Sequence, residues 1–505
     1  MTTTSPAPEV AGKGLKLGAI GLLSSIVIGV ASTAPGYSLA AVLGGISAEV
    51  GEKAPVIMLI AFVPILFISY AYKSLNAATP DCGTNFTWTA KVFGPRAGWL
   101  SGWALIMADV IVMASLAEIA ALYTYSLFGI EASEGAVVAL GIVWILVMTF
   151  IAWRGIELSA RTQYFLLAAE LAVLALFSVV ALWQVYAGTA GDQAITPSLS
   201  WFNPVGLSFS ALSAGFLLAV FIYWGWDSAV AANEETTDPH VNPGRAAVLS
   251  TIVLVLTYVV VTVAAQAYAG VGTEGIGLAN PEHTDDVLGV TGEAAMGSWG
   301  VKLLIIAVLT SAAASTQTTI LPTARGTLAM AAYKALPKTF ATVNPRFQTP
   351  SVSTWAMGIV SAVFYGGLYF ISTAAMYDLI LSIGLLIAFY YGLTGFTSAW
   401  AFRREIGRGL KPALQKVILP FLGGVILFVA MVRTGIDLLD PENTETTILG
   451  VGGAFVLGVG SMVLGVVFMI VWNVMAPAFF RGETLRSDTV VTETGEFVGT
   501  DEAAS

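Results

Sequence analysis

Polar residues in this chain mostly separate long apolar runs from one another. A helix that crosses a membrane needs roughly 20 apolar residues. On that criterion the pattern predicts twelve spans, at about 16–47, 54–76, 97–128, 135–153, 159–188, 207–233, 246–270, 300–325, 352–372, 376–402, 415–434 and 448–477. Two of the runs break in the middle. The first, Ile20–Leu43, is interrupted by Ala31-Ser32-Thr33-Ala34-Pro35-Gly36, and the second, Leu207–Ala232, by Tyr223-Trp224-Gly225-Trp226-Asp227. Unwound backbone at that depth exposes N–H and C=O groups that lipid cannot satisfy. It is tolerated only where it is buried in protein or lines a cavity. Paired breaks five spans apart point to a central binding site of the kind secondary transporters use.

Pro35 has no N–H, suits the first turn of a helix, and disfavours helix in the residue before it. One half-helix is therefore expected to end near Val30 and another to start near Pro35. The start of the second presents free N–H groups and partial positive charge, which suits a carboxylate; a plain proline kink is the alternative. In the second break Gly225 lies between two tryptophans. Asp227 is placed to cap the restarted half-helix, and an ionisable residue at this depth is also a functional candidate. Tyr223, Trp224 and Trp226 either line a pocket or face lipid.

Composition narrows the class. The 505 residues are 56% hydrophobic and 11% charged, against roughly 25% charged in soluble globular proteins, so the chain reads as a polytopic membrane protein. The net charge of −10 is divided between two membrane faces and gives no reason to expect a nucleic-acid partner. Cys82 is the only cysteine, and His240 and His283 both lie in loops. No disulfide, metal centre, cofactor or enzymatic site is expected. With the N-terminus in the cytoplasm, 19 of the 22 basic residues fall inside and only Lys53, Lys302 and Arg433 outside. That asymmetry supports both the span count and the orientation. Loop 79–98 and loop 333–349 each suggest either a short interfacial helix or an ordinary loop.

Five acids fall within or near apolar spans: Asp109, Glu118, Glu170, Asp227 and Asp378. No basic residue lies at comparable depth. A low-dielectric interior favours the neutral form of an unpaired carboxyl group, which is the physical requirement for carrying a proton. Glu170 is the leading proton-coupling candidate, followed by Asp227, Asp109 and Glu118, with a hydrogen-bonded structural role the equal alternative for Asp109 and Glu118; Asp378 reads as an interfacial residue.

Several segments, in order, resemble the amino acid–polyamine–organocation permeases. Gly29-Val30-Ala31-Ser32-Thr33-Ala34-Pro35 resembles their broken first helix. Pro80-Asp81-Cys82-Gly83-Thr84, with Trp88, Gly94-Pro95 and Gly98 through Gly102-Trp103, resembles their first cytoplasmic loop and third helix. Tyr223-Trp224-Gly225-Trp226-Asp227 followed by Glu234-Glu235-Thr236 and Pro239 is similar to the sixth-helix signature. Arg325, Met330, Pro337, Arg346 and Thr349-Pro350 resemble the loop after helix 8. The resemblance covers about residues 15–475. It implies an all-α polytopic membrane protein of 12 transmembrane helices with the LeuT-type 5+5 inverted repeat and broken helices 1 and 6. The divisions it implies are a disordered cytoplasmic N-terminus (1–14), a transport core (15–405), helices 11–12 (406–480) and a disordered cytoplasmic C-terminus (481–505).

Carried onto this chain, the resemblance places substrate against Ile28, Ala31, Ser32, Thr33, Ala34 and Gly36 of the first break. From the second it adds Phe221, Tyr223, Trp224, Gly225 and Asp227. The first break lacks the Gly-Ser-Gly type motif common in amino-acid members. Glu170 stands near the position where some proton-coupled relatives carry a lysine, and with Ser311 and Ser315 it offers an alternative site for an inorganic cation. The implied activity is secondary active transport of an amino acid across the plasma (inner) membrane, with a proton favoured over sodium as coupling ion. A polyamine or amine substrate is the alternative, which the unpaired carboxylates favour. A channel or a substrate sensor ranks below both.

Overall fold

The computed structural model describes residues 13–284, 286–370 and 376–486, apart from the side chains of 376 and 377, and the backbone of 489–491 and 497–499. Helix dominates. α1 (Leu22–Ser32) and α2 (Pro35–Val50) flank the first break, followed by α3 (Ala54–Ala78), the short α4 (Asn85–Phe93), α5 (Pro95–Leu127), α6 (Glu134–Trp153) and α7 (Ile156–Ala187). α8 (Phe209–Ile222) and α9 (Ser228–Ala231) flank the second break. α10 (Asn242–Ala269), α11 (Val287–Ala332), α12 (Ser351–Tyr369) and α13 (Met376–Ala401) follow. α14 (Leu410–Pro412) passes through a π-helical stretch, Ala413–Ile418, into α15 (Leu419–Asp437), and α16 (Gly453–Met475) ends the bundle. Among the described residues, ten helical runs are long and apolar enough to cross a membrane; the first, Leu22–Ala78, takes in α1 to α3.

The molecule has a closely packed interior rich in small and hydroxyl side chains and an apolar exterior. Small residues and buried hydroxyls fill the centre, where α11 packs against α5 and α7, and α1 lies against α7, α10 and α11. Large apolar side chains stand exposed on α7 and on the outer helices α12, α15 and α16, among them Phe165 (78%), Val363, Val429 and Val463. So much exposed hydrocarbon is unfavourable in water and is what a lipid-facing surface requires.

Local structure follows the punctuation in the sequence. The first break is two residues long, between Ser32 and Pro35, and Ala34 takes the left-handed conformation at φ +46°. Loop 79–98 contains a buried helix, α4, whereas loop 333–349 forms only a 3-10 turn at Lys338–Ala341. The predicted span at 300–325 is the middle of α11, which breaks at Gly297 (φ +73°) and continues past Pro322 to Ala332. Asp378 is not a solvated interfacial residue. It is buried and accepts hydrogen bonds from the Glu445 and Thr446 amides and the Thr446 hydroxyl, fastening the α15–α16 loop.

The expected disordered ends lie largely outside the described residues. Within them, Lys13 is hydrogen-bonded to the loops of the core, Leu485 packs with Phe86 and Trp99, and 489–491 pairs antiparallel with 497–499.

Candidate substrate site at the two helix breaks

The breaks meet. The Ser32 and Ser228 hydroxyls are 2.8 Å apart, and Gly225 (φ +115°) passes so close to the Ser32 carbonyl that a Cβ there would lie 2.6 Å from its oxygen. Glycine is needed at 225 on both counts, the backbone angle and the close approach. Gly225→Ala is expected to cost about 1–3 kcal/mol, read as a lowered unfolding temperature together with weakened uptake. The segments flanking the breaks are also joined, because the Ile20 amide donates to the Glu235 carbonyl and the Thr237 amide to the Ile20 carbonyl.

The first break keeps its donors occupied. The Gly36 amide donates to Glu170 Oε1 at 2.6 Å, the Tyr37 amide to Ser311 Oγ at 3.2 Å, and the Ser38 amide to the Ala34 carbonyl. Carboxylate chemistry at the positive end of α2 is thus supplied by the chain's own Glu170. That side chain is fully buried, and its Oε2 has no partner among the described residues. On the α1 side, the Val30 carbonyl accepts from Thr33, the Ala31 carbonyl from the Ala34 amide, and the Ser32 carbonyl from Ser315 Oγ at 2.8 Å. Ile28 is buried one turn before the break.

Asp227 does not cap α9, since its side chain makes no bond to that helix. The half-helix is only four residues long, and the carboxylate turns to other elements. Tyr391 donates to Oδ1 at 2.9 Å, while Tyr390 at 3.2 Å and Tyr72 at 3.4 Å donate to Oδ2. The Trp224 indole N–H donates to the Tyr390 hydroxyl, and Trp226 packs against Tyr72 and Tyr391. Tyr223 points elsewhere, bonding the Met58 carbonyl at 3.0 Å, and the Ile222 carbonyl accepts from Tyr258. Phe221 is buried and its carbonyl accepts from the Trp224 amide. Of the other acids, Asp109 accepts from Thr323 at 2.5 Å, and Glu118 is half-buried in α5.

Sequence reading missed two groups. The three tyrosines around Asp227 lie about 155–164 positions from it; the doublet Tyr390-Tyr391 in an apolar span was the available signal. The other group lies between the loops. Lys13 Nζ contacts Asp81 at 2.8 Å and Glu234 at 2.5 Å, Asp81 also accepts from Tyr333 and Thr87, and Arg325 pairs with Glu235 at 2.5 Å. Asp81, Cys82 and Glu234 have donor atoms within 4.8 Å of one another, like a metal site. The Lys13 ammonium already supplies the cation there. Burial pushes the Asp81 carboxyl up, but Lys13 and the hydrogen bonds from Lys13, Tyr333 and Thr87 outweigh it and hold it at about 2. The Lys13 ammonium is raised above its ordinary range, its burial outweighed by attraction to Asp81 and Glu234.

The model of the amino acid permease family matches residues 17–481. Similar proteins include a branched-chain amino acid permease of Lactococcus lactis subsp. cremoris, 26% identical over 71% of this chain and 77% of that one. A vacuolar cationic amino acid transporter of Arabidopsis thaliana is 25% identical over 74% of this chain and 61% of its own length. A methylthioribose transporter of Bacillus subtilis is 26% identical over 70% and 75%. The match extends from just before α1 to just beyond α16, and the chain belongs to the amino acid permease family of multi-pass membrane proteins.

Proposed function

We propose that the chain is a secondary active transporter that takes up an amino acid together with a proton across the plasma membrane. The observation that carries this reading is the meeting of two helix breaks, each holding a buried carboxylate without a cationic partner among the described residues. The family and the names of two relatives favour an amino acid as cargo. The charge asymmetry and the positions of the breaks favour twelve spans in two inverted repeats, with both termini cytoplasmic.

Coupling works by exchange at the start of α2. Ionised, Glu170 holds the Gly36 N–H; a proton removes its charge and weakens that bond. The donor then becomes available to the substrate's carboxylate, at the positive end of a helix. Asp227 and its tyrosines face the other break and suit an ammonium group. Ser311 and Ser315 are engaged with the Tyr37 amide and the Ser32 carbonyl, which favours a proton over an inorganic cation. Proteoliposome uptake of a labelled amino-acid panel, with and without an inward proton gradient, tests this. Gradient-dependent accumulation of an amino acid is expected. Strong putrescine uptake that amino acids do not compete would overturn the amino-acid reading and favour an amine carrier.

In this reading the Lys13–Asp81–Glu234 cluster latches the cytoplasmic side. The lowered Asp81 value means its contribution is lost only as pH falls toward about 2. The raised Lys13 value means its contribution persists until pH exceeds the ordinary 10.5. Between about pH 5 and 8 the Lys13–Asp81 pair is therefore constant, and the pH response is assigned to the buried carboxyl groups of the bundle. Lys13→Gln is expected to speed maleimide labelling of the buried Cys82 on the order of tenfold, about 1.4 kcal/mol of eased opening. The shape of the uptake pH profile is expected to stay unchanged. A shifted profile would assign proton sensing to the cluster instead.

A further inference from the structure

We propose that the cavity between the α6–α7 turn and the loop after α11 binds the phosphate of an anionic phospholipid headgroup. The cavity measures about 260 Å³ and is lined by Lys16, Arg154, Glu157, Arg161, Arg346 and Phe347, among others. Lys16 and Glu157 neutralise each other at 2.8 Å. Arg154, Arg161 and Arg346 have no carboxylate partner among the described residues. All three are exposed residues that line this one cavity, so it carries a positive field that favours an anion. Their planar forks match phosphate oxygens, which makes arginine the usual choice for that task.

The backbone supplies further donors. α7 is 32 residues long, and its first intrahelical bond runs from the Ser159 amide to the Gly155 carbonyl. The amides of 156–158 therefore stand at the positive end of a long helix, beside the guanidiniums. Phe347 orders two of the arginines, with the Arg154 and Arg346 guanidiniums 5.0 and 5.3 Å from its ring centre.

The surroundings select a lipid over a dissolved ion. Trp153 packs edge-on to Phe347 at 4.9 Å and donates to Ser351, a ring placement typical of the membrane–water boundary. Phe150, whose ring centre lies 5.6 Å from the Arg154 guanidinium, stands exposed with Leu158 and Phe165. An anionic head with apolar tails satisfies both surfaces, and basic pockets at the cytoplasmic ends of spans suit such heads. The site goes beyond transport, and its side of the membrane rests on the orientation proposed above.

The test uses the full chain purified in mild detergent, titrated with short-chain phosphatidylglycerol and read by native mass spectrometry. Arg154→Gln and Arg346→Gln are each expected to weaken binding about fivefold, the effect of one basic side chain at an anionic surface. The double variant is expected to lose about twenty-five-fold, and Arg404→Gln, at another exposed basic position, to bind as wild type. Arg346 sits in an exposed loop, so its substitution carries the test even if Arg154→Gln misfolds. Unchanged binding in Arg346→Gln or in the double variant, or equal loss in Arg404→Gln, would overturn the site. Displacement of the lipid by inorganic phosphate at equal concentration would also overturn it, in favour of a soluble-anion site. Binding in detergent requires neither transport nor sidedness, so this result and the uptake result fail independently.

Discussion

Asparagine in place of Asp227 is expected to lower uptake about a hundredfold while the protein still folds. Asp227 is 5% exposed, and its carboxylate accepts from three hydroxyls, on Tyr72, Tyr390 and Tyr391. Hydrogen bonds to a charged acceptor contribute about 1.5–3 kcal/mol each. Asparagine keeps one acceptor oxygen and turns the other into a donor, so at least one tyrosine must rotate away. The substitution also removes the charge offered to a substrate ammonium. Two such interactions at the lower end of that range total about 3 kcal/mol, which at about 1.4 kcal/mol per tenfold corresponds to roughly a hundredfold. Tyr391→Phe removes one donor and no charge, and is expected to cost about tenfold. Initial-rate uptake in proteoliposomes, alongside the unfolding temperature, checks both. A fully active Asp227→Asn protein would reduce the residue to a structural anchor for α13.

Which parts of this site were legible in the sequence depended on distance along the chain. Proline chemistry is local, so Pro35 placed the restart of the helix, and Gly225 between two tryptophans placed the second break. The charge asymmetry is cumulative and survives any single misplaced boundary. Partnerships across the bundle were not readable. Nothing in the run Ala31–Gly36 states that Glu170, 134 positions on, takes the Gly36 amide. Asp227 was expected to cap because an acid before a helix usually does; a four-residue half-helix beside three hydroxyls gives the carboxylate better partners elsewhere. Lys13 fell in the N-terminal segment expected to be disordered and Asp81 in the first cytoplasmic loop, because a one-dimensional pattern records that they lie outside the spans and not that they face each other.

Replacing Glu170 by glutamine is expected to abolish accumulation while sparing exchange. The glutamine carbonyl still accepts from the Gly36 amide, and its NH2 takes the place of Oε2, which has no partner among the described residues. The break therefore keeps its shape. What is lost is the ability to gain and release a proton. In proteoliposomes with an inward proton gradient, the internal-to-external substrate ratio should fall from well above one to about one, since an uncoupled carrier only equilibrates its substrate. Counterflow, in which external labelled substrate exchanges for internal unlabelled substrate, should persist. Glu170→Ala makes the contrast: it leaves the Gly36 donor buried and unpaired at about 1–3 kcal/mol, so it should lower the unfolding temperature, which Glu170→Gln should not. Wild-type accumulation by Glu170→Gln would remove Glu170 from coupling and leave Asp227 and Asp109 to carry the proton. Accumulation that instead follows a sodium gradient in the wild type would mean that Glu170, with Ser311 and Ser315, holds a metal cation.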